Sequence, residues 1–315
     1  MKRVINILTI GISLIIGLSS CDNVNVDKPV TGIYNIEFSD ALTKTYITSD
    51  NLNEFIVWGE TSLGSADIFN MVKVTSSVVN GQKTWTYDGD KYWQDNTTYD
   101  FFAVAPIELS DKVEYHEDKG WGVEYNISGS MIVDEQVDFI FANKQITTGK
   151  ISEMPEKVQL DFKHKLSKVN LKLKKSESNQ DETMQIKEVY LYGMKGNGVY
   201  YLNTGWVYGS DAATVSLVGI NETLSTSYTK LGEFLMLPQE LSNIYLIATF
   251  DYTINGVTTS RVQIAQVPVT EVSRWEESKT YTYNAVLSVE HDIVFEGPTI
   301  QNWFSHTEGG TIIIK

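Results

Sequence analysis

The stretch Val158-Gln159-Leu160-Asp161-Phe162-Lys163-His164-Lys165-Leu166-Ser167-Lys168-Val169-Asn170-Leu171-Lys172-Leu173 holds two alternating apolar sets that do not share a register. Val158, Leu160, Phe162, His164 and Leu166 are even-numbered, whereas Val169, Leu171 and Leu173 are odd. Strand side chains alternate between faces, so a shift of one residue turns every later side chain over. The apolar face therefore changes near Ser167 and Lys168, either at a β-bulge or because the strand crosses between two sheets. Just upstream, residues 149–156 are polar and contain Pro155, which reads as a linker. A boundary near residue 155 leaves units 21–155 and 156–315, each of ordinary domain size.

Both units read as strand and turn. Asn80-Gly81 and Asn255-Gly256 sit between strand-like segments, the strongest short hairpin signal. Before the second turn, Ile244, Leu246, Ala248, Phe250, Tyr252 and Ile254 alternate on one side; Val262 and Ile264 lie beyond it. Tyr281, Tyr283, Ala285, Leu287 and Val289 form another stripe of period two, with Thr280, Thr282, Asn284 and Ser288 mostly opposite. Such alternation places one face in a core and the other toward water. No mature segment sustains a period of 3.6 and no repeat of 20–50 residues is present, so helices should be few and short. The expected architecture is all-β, two β-sandwich domains in tandem.

Composition agrees and excludes several function classes. The 315 residues are 42% hydrophobic and 21% charged, with seventeen tyrosines and seven tryptophans, a profile that suits packed β-structure. The formal net charge is −15, and −17 without the first twenty residues, which hold Lys2 and Arg3 and no acid. With only three arginines in the chain, no electrostatic footprint for nucleic acid is present. A single cysteine excludes a disulfide framework and a thiolate metal cluster.

Residues 1–20 read as an export signal. Met1-Lys2-Arg3 is basic, and Val4 to Leu18 is an uncharged apolar run of fifteen, short of the roughly 18–20 residues of a membrane span. It ends in Leu18-Ser19-Ser20-Cys21, which resembles a bacterial lipobox with Cys21 as the lipidated residue. An uncleaved anchor, or an ordinary signal with an incidental cysteine, is the competing reading. Lipid on Cys21 would hold the chain on a membrane, each buried methylene contributing about 0.8 kcal/mol.

Candidate chemistry is sparse. His116, His164, His291 and His306 show no metal-ligand spacing, and His164 on its apolar strand face reads as a hydrogen-bonded core histidine. Gly193, Gly196 and Gly198 precede the strand-like Val199-Tyr200-Tyr201, so they make a turn and not a phosphate loop at a helix start. Asp88-Gly89-Asp90 lacks the further oxygen ligands of a calcium loop and reads as a hairpin turn. Forty acids are too many for a catalytic pair to be singled out, and no catalytic residue, metal site or cofactor is assigned. Trp85, Tyr87, Tyr92, Trp93, Tyr99, Phe101 and Phe102 form either a core or a carbohydrate platform; shared strand faces favour burial.

Five segments together resemble the fimbrillin family of Bacteroidales surface pili, subunits of the type V kind, over most of the mature chain. They are Tyr92 to Pro106, Phe162-Lys163-His164-Lys165-Leu166-Ser167-Lys168-Val169, Leu235-Met236-Leu237-Pro238-Gln239, Trp275 with Lys279-Thr280-Tyr281-Thr282-Tyr283, and Ile300-Gln301-Asn302-Trp303 followed by Gly309 to Ile314. The resemblance implies two transthyretin-like β-sandwich domains, export as a lipoprotein to the outer membrane and cell surface, and assembly into adhesive fimbriae. It further implies that a protease removes the N-terminal strand and that a neighbouring subunit's strand fills the groove. Affinity in such strand addition comes from backbone hydrogen bonds, and specificity from alternate side chains in pockets. The implied partners are other fimbrial subunits, identical or paralogous.

On this reading the displaced strand carries Tyr34, Ile36 and Phe38, which alternate after Gly32. The donor candidate is Thr311, Ile312, Ile313 and Ile314, with pairing inside its own domain as the alternative. One departure stands out. Some relatives are cut by an arginine-specific protease, yet the mature arginines here, Arg261 and Arg274, lie far downstream. The corresponding position is Lys44, before Thr45, so the protease would have to accept lysine or read something else; an uncut chain would act as an anchor or not polymerise at all. The rival from another class is a non-polymerising surface lipoprotein that binds glycans through the Trp85–Phe102 aromatics.

Overall fold

A computed structural model describes residues 34–41, 52–63, 68–127, 130–132, 135–179 and 181–303. The first half contributes strands β1 (Phe38–Ala41), β2 (Glu54–Thr61), β3 (Phe69–Val79), β4 (Gln82–Tyr87) and β5 (Thr98–Ala105). It continues with β6 (Val113–His116), β7 (Gly120–Asn126), β8 (Ser130–Ile132) and β9 (Ile140–Thr147). The junction carries β10 (Val158–Asp161), β11 (Lys163–His164) and β12 (Ser167–Lys175). After it come β13 (Thr183–Lys195), β14 (Asn197–Tyr201), β15 (Gly205–Tyr208), β16 (Ala212–Leu224) and β17 (Thr229–Met236). The last are β18 (Tyr245–Ile254), β19 (Val257–Gln266), β20 (Lys279–Leu287) and β21 (Val294–Asn302). The named helical segments, Ile107–Lys112 and Glu177–Asn179, are short 3₁₀ turns.

The fold is all-β. In the first half a six-stranded antiparallel sheet, ordered β11-β9-β5-β2-β3-β4, faces the parallel pair β1-β10. Ile36, Phe38, Val158, Leu160 and Phe162 meet Phe55, Val57, Phe69, Tyr99 and Phe101 in one core. In the second half the sheet β17-β12-β20-β21 packs with β19-β18-β13-β16-β8. There Val169, Leu171, Tyr281 and Tyr283 join Ile186, Val189, Leu246 and Phe250 in a second core. Full burial of such side chains stabilises the fold by about 1.5–3 kcal/mol each.

The chain crosses between these cores within the segment that opened the sequence reading. Phe162 belongs to the first core, and Leu166 and Val169 to the second. Of the two explanations for the register change, crossing between sheets is the one observed. The β-bulge in β12 lies further on, between Leu171 and Lys172 against β17. Both Asn-Gly hairpins form, with Val79 opposite Gln82 and Ile254 opposite Val257. Asn80, Gly81, Asn255 and Gly256 all have φ between 51° and 80°, the left-handed conformation that matches strand twist. The Tyr281–Leu287 stripe is buried as expected, but its opposite face is half-buried, and Thr280 and Ser288 are closed off. Val262 and Ile264 turn outward, because the two-residue turn sets Gln263 opposite the buried Ala248.

A further sheet joins the halves. Its order is β15-β14-β7-β6, so β7 from before residue 155 pairs with β14 from after it, Tyr200 opposite Val123. Val123, Tyr125 and Tyr200 pack in one cluster with Ile56, Trp58, Phe102, Val104 and Phe141 of the six-stranded sheet. That sheet is therefore covered on both faces, and its central strands read as unbroken apolar runs (Phe55 to Trp58, Phe101 to Ala105) instead of alternating. β8 also crosses over, pairing in parallel with β16.

Candidate functional site

The N-terminal segment 34–41 forms part of the wall of the first core. Its residues alternate: Ile36 and Phe38 are buried, Tyr34 is half-buried and Asn35 is exposed. The Ile36 N–H donates to the Lys91 carbonyl at 2.8 Å, and the Trp93 N–H donates to the Tyr34 carbonyl at 3.0 Å. On its other side the Val158 N–H donates to the Glu37 carbonyl at 2.7 Å, and β1 then pairs with β10 from Phe38↔Val158 to Ala41↔Asp161. Lys157 and Glu37 add an ion pair at 2.9 Å, half-exposed and so weak.

Side chains lock the segment in place. The Phe38 ring meets Phe69 at 5.3 Å, Phe101 at 5.8 Å, Tyr87 at 5.9 Å and Phe55 at 6.0 Å, each edge-on. The Tyr87 hydroxyl donates to the Ile36 carbonyl at 2.8 Å, and burial pushes that hydroxyl up to about 12. An empty segment 34–41 would leave an aromatic-lined slot beside the unpaired edge of β10, a surface that demands another strand. Tyr34, Ile36 and Phe38 are thus brought together as the filling of one groove.

The junction is a second constellation. The His164 ring nitrogen Nδ1 lies 3.0 Å from the Asp138 carboxylate, with both side chains buried. The same imidazole stacks on Trp303, and the Lys168 ammonium lies 5.3 Å from that indole's centre. Lys165 is also buried; its ammonium donates to the Tyr200 hydroxyl at 2.8 Å and reaches Glu277 at 3.3 Å. Burial lowers the Lys165 pKa, with Glu277 opposing the shift. The Ser278 hydroxyl donates to the His164 carbonyl and the Ser167 hydroxyl to the Glu276 carbonyl, both at 2.7 Å. The motif from Phe162 to Val169 thereby ties three sheets together. The reading of His164 as a bonded core histidine holds. Its partners Asp138 and Trp303 lie 26 and 139 positions away and carry no local signal.

The aromatic segment is core. Trp93, Tyr99 and Phe101 are buried in the first core with Trp85 and Tyr87 packed half-buried against it, Phe102 is buried in the other cluster, and Tyr92 is the exposed member. Gly193 lies at φ +88° near the end of β13, and β14 begins at Asn197, so a strand follows the glycines. Among the described residues no group of three His, Cys, Asp or Glu side chains could hold a metal ion, and no helix is long and apolar enough to cross a membrane. Cys21, Lys44, Thr45, Thr311, Ile312, Ile313 and Ile314 lie outside the described residues.

Comparison with known proteins places this architecture. The chain's fold is similar to that of a fimbrial protein from Bacteroides vulgatus, with a TM-score of 0.61 at 14% identity, covering 85% of this chain and 99% of that one. It is also similar to two proteins assigned to cell adhesion. The one from Bacteroides ovatus gives a TM-score of 0.54 at 17% identity, with 88% and 100% coverage. The one from Bacteroides uniformis gives 0.52 at 16%, with the same coverage. No curated protein matches the chain. The sequence profile described as fimbrillin-like matches residues 41–303, from the end of β1 to the indole that closes the junction. Most of the chain lies within that match, and the protein belongs to the fimbrillin-like family.

Proposed function

We propose that this protein is a structural subunit or anchor of cell-surface fimbriae, without catalytic activity, that contributes to adhesion. It is exported as a lipoprotein through Cys21 and held at the outer membrane by that lipid. The observation that carries the assembly step is the burial of Ile36 and Phe38, at 0% and 2% exposure, in a groove bounded by β10 and the 87–93 segment. Cleavage between Lys44 and Thr45 would release the segment that fills this groove. A neighbouring subunit would then supply a strand with the same alternation, and Thr311 to Ile314 of another copy or a paralogue is the candidate donor. Burial of Trp93, Tyr99, Phe101 and Phe102 disfavours the glycan-binding alternative, leaving Tyr92 exposed and Trp85 and Tyr87 half-exposed.

The test is the N-terminus and gel behaviour of the protein taken from the native cell surface. A chain starting at Thr45 in a heat-resistant ladder of multimers is the expected result for a shaft subunit. A lipidated Cys21 on a chain that caps such a ladder identifies the anchor. A single monomer band that keeps residues 34–41 overturns assembly by strand exchange.

A further inference from the structure

A cavity of about 400 Å³ lies where the sheet shared by both halves meets the second sandwich, away from the groove. Such a seam is a common place for small-ligand sites, and the volume falls in their usual range. Its charge is opposite to that of the whole molecule. Lys195 and Arg274 both line it, in a chain of formal charge −15 with two arginines beyond residue 20. The carboxylate among its lining residues is Glu240, which pairs loosely with Arg274 at 3.9 Å and is two-thirds exposed; Glu277, near Tyr208, is engaged by Lys165. Lys195 lies 5.8 Å over the Tyr208 ring and has no carboxylate partner among the described residues.

The walls are fixed by bonds that leave these groups available. The Lys195 N–H donates to the buried Gln239 side chain at 2.6 Å, whose amide donates in turn to the Leu237 carbonyl at 3.0 Å. The Trp275 N–H donates to the Gln239 carbonyl at 2.8 Å, and Glu240 and Arg274 form an antiparallel bridge. The Tyr208 hydroxyl donates to the Pro238 carbonyl. On the rim, the Ser242 hydroxyl and the Asn243 amide are exposed polar groups.

We infer that this cavity binds a small carboxylate that also carries hydroxyl groups, the chemistry of an acidic monosaccharide. The two cations take the carboxylate, Ser242 and Asn243 exchange hydrogen bonds with hydroxyls, and Glu240 yields Arg274 to the ligand. The site is independent of strand exchange and would operate in a monomer.

Titration of the isotope-labelled mature chain with galacturonate, galactose and acetate, followed by amide chemical shifts, tests it. Saturable shifts at Lys195, Asn243 and Arg274 with galacturonate, and weaker ones with galactose and acetate, are expected. Arg274→Gln and Lys195→Gln should each weaken galacturonate binding at least about tenfold, as loss of a charge-assisted bond requires. Glu240→Gln should strengthen binding, because a competing counter-ion is removed. All three side chains are exposed, so melting temperatures should hold. Shifts absent with every probe, equal affinity for acetate, or binding unchanged in Arg274→Gln would overturn the assignment.

Discussion

The imidazole of His164 lies flat on the indole of Trp303, ring centroids 4.1 Å apart and planes 7° from parallel. The stack fastens the end of β21 to the segment that passes from the first core to the second, so the last strand and the crossover are fixed by one contact. Trp303→Ala should cost about 3–5 kcal/mol as a buried aromatic truncation. His164→Ala should also be costly, since it takes the imidazole from the buried Asp138 carboxylate. If the stack is direct, the double variant should be less destabilised than the sum of the singles by about 1 kcal/mol. Urea unfolding of the four proteins measures this, and additive effects would refute the coupling.

Phe38 and Asn35 provide a contrast within one segment. Phe38→Ala empties a site bounded by four aromatic rings and should destabilise the first core by about 3–5 kcal/mol. Asn35→Ala, on the exposed side, should change stability by less than about 0.5 kcal/mol. Thermal unfolding of the uncleaved chain checks both. Similar melting temperatures for the two variants would mean that the segment does not seal the core.

Two glycines differ in what surrounds them. Gly256 has φ +80° and open space where a Cβ would stand, so Gly256→Ala should cost only the backbone term, about 1–2 kcal/mol. Gly193 has φ +88°, and an added Cβ would overlap the Asn243 carbonyl oxygen. Gly193→Ala must therefore move backbone as well, and its cost should exceed that of Gly256→Ala by about 1–3 kcal/mol. Denaturation midpoints of the pair measure the difference.

Alkaline pH should destabilise the fold through the buried phenols of its second half. Burial pushes the Tyr283 hydroxyl, which accepts the Trp275 indole N–H at 3.0 Å, up to about 12. Unfolded tyrosine titrates near 10, so the folded state holds this proton longer. The resulting stability is present in full below pH about 10 and is lost as pH rises toward about 12, on the order of 2–3 kcal/mol. Lys165 acts in the other sense. Burial lowers its pKa, so its contribution grows as pH rises toward the unfolded lysine value and is complete above it. Urea midpoints across this range should fall in the native chain and fall less in Tyr283→Phe.

The Gln136 amide bridges the halves like a piece of strand. Its nitrogen donates to the Leu235 carbonyl at 2.5 Å, and its oxygen accepts the Leu235 N–H at 2.8 Å. Gln136→Ala should cost about 1–3 kcal/mol and speed hydrogen exchange at the Leu235 amide. Together with the β7–β14 pairing, this clamp predicts that both halves unfold in one calorimetric transition. Two resolved peaks would show that the halves fold independently.

Strand periodicity, both Asn-Gly turns and the face change at 166–169 were legible in the sequence, because each depends on neighbours a few residues apart. The alternation that buries Ile36 and Phe38 and half-buries Tyr34 was legible for the same reason. Alternation states which way a side chain points and not what it meets. The β7–β14 sheet, the Gln136–Leu235 clamp and the Asp138–His164–Trp303 contact join residues 26 to 139 positions apart, and nothing local distinguishes these partners from others of the same type. Val262 and Ile264 make the point within one hairpin. Their apolarity suggested burial, but the turn register opposes them to Thr249 and Ile247 on the outer face, leaving Gln263 to face inward and bond the Ser288 and His291 carbonyls. Local chemistry therefore determined the strands and their turns. Tertiary packing decided which strands share a sheet, because only the folded chain brings distant apolar faces and backbone edges within reach of one another.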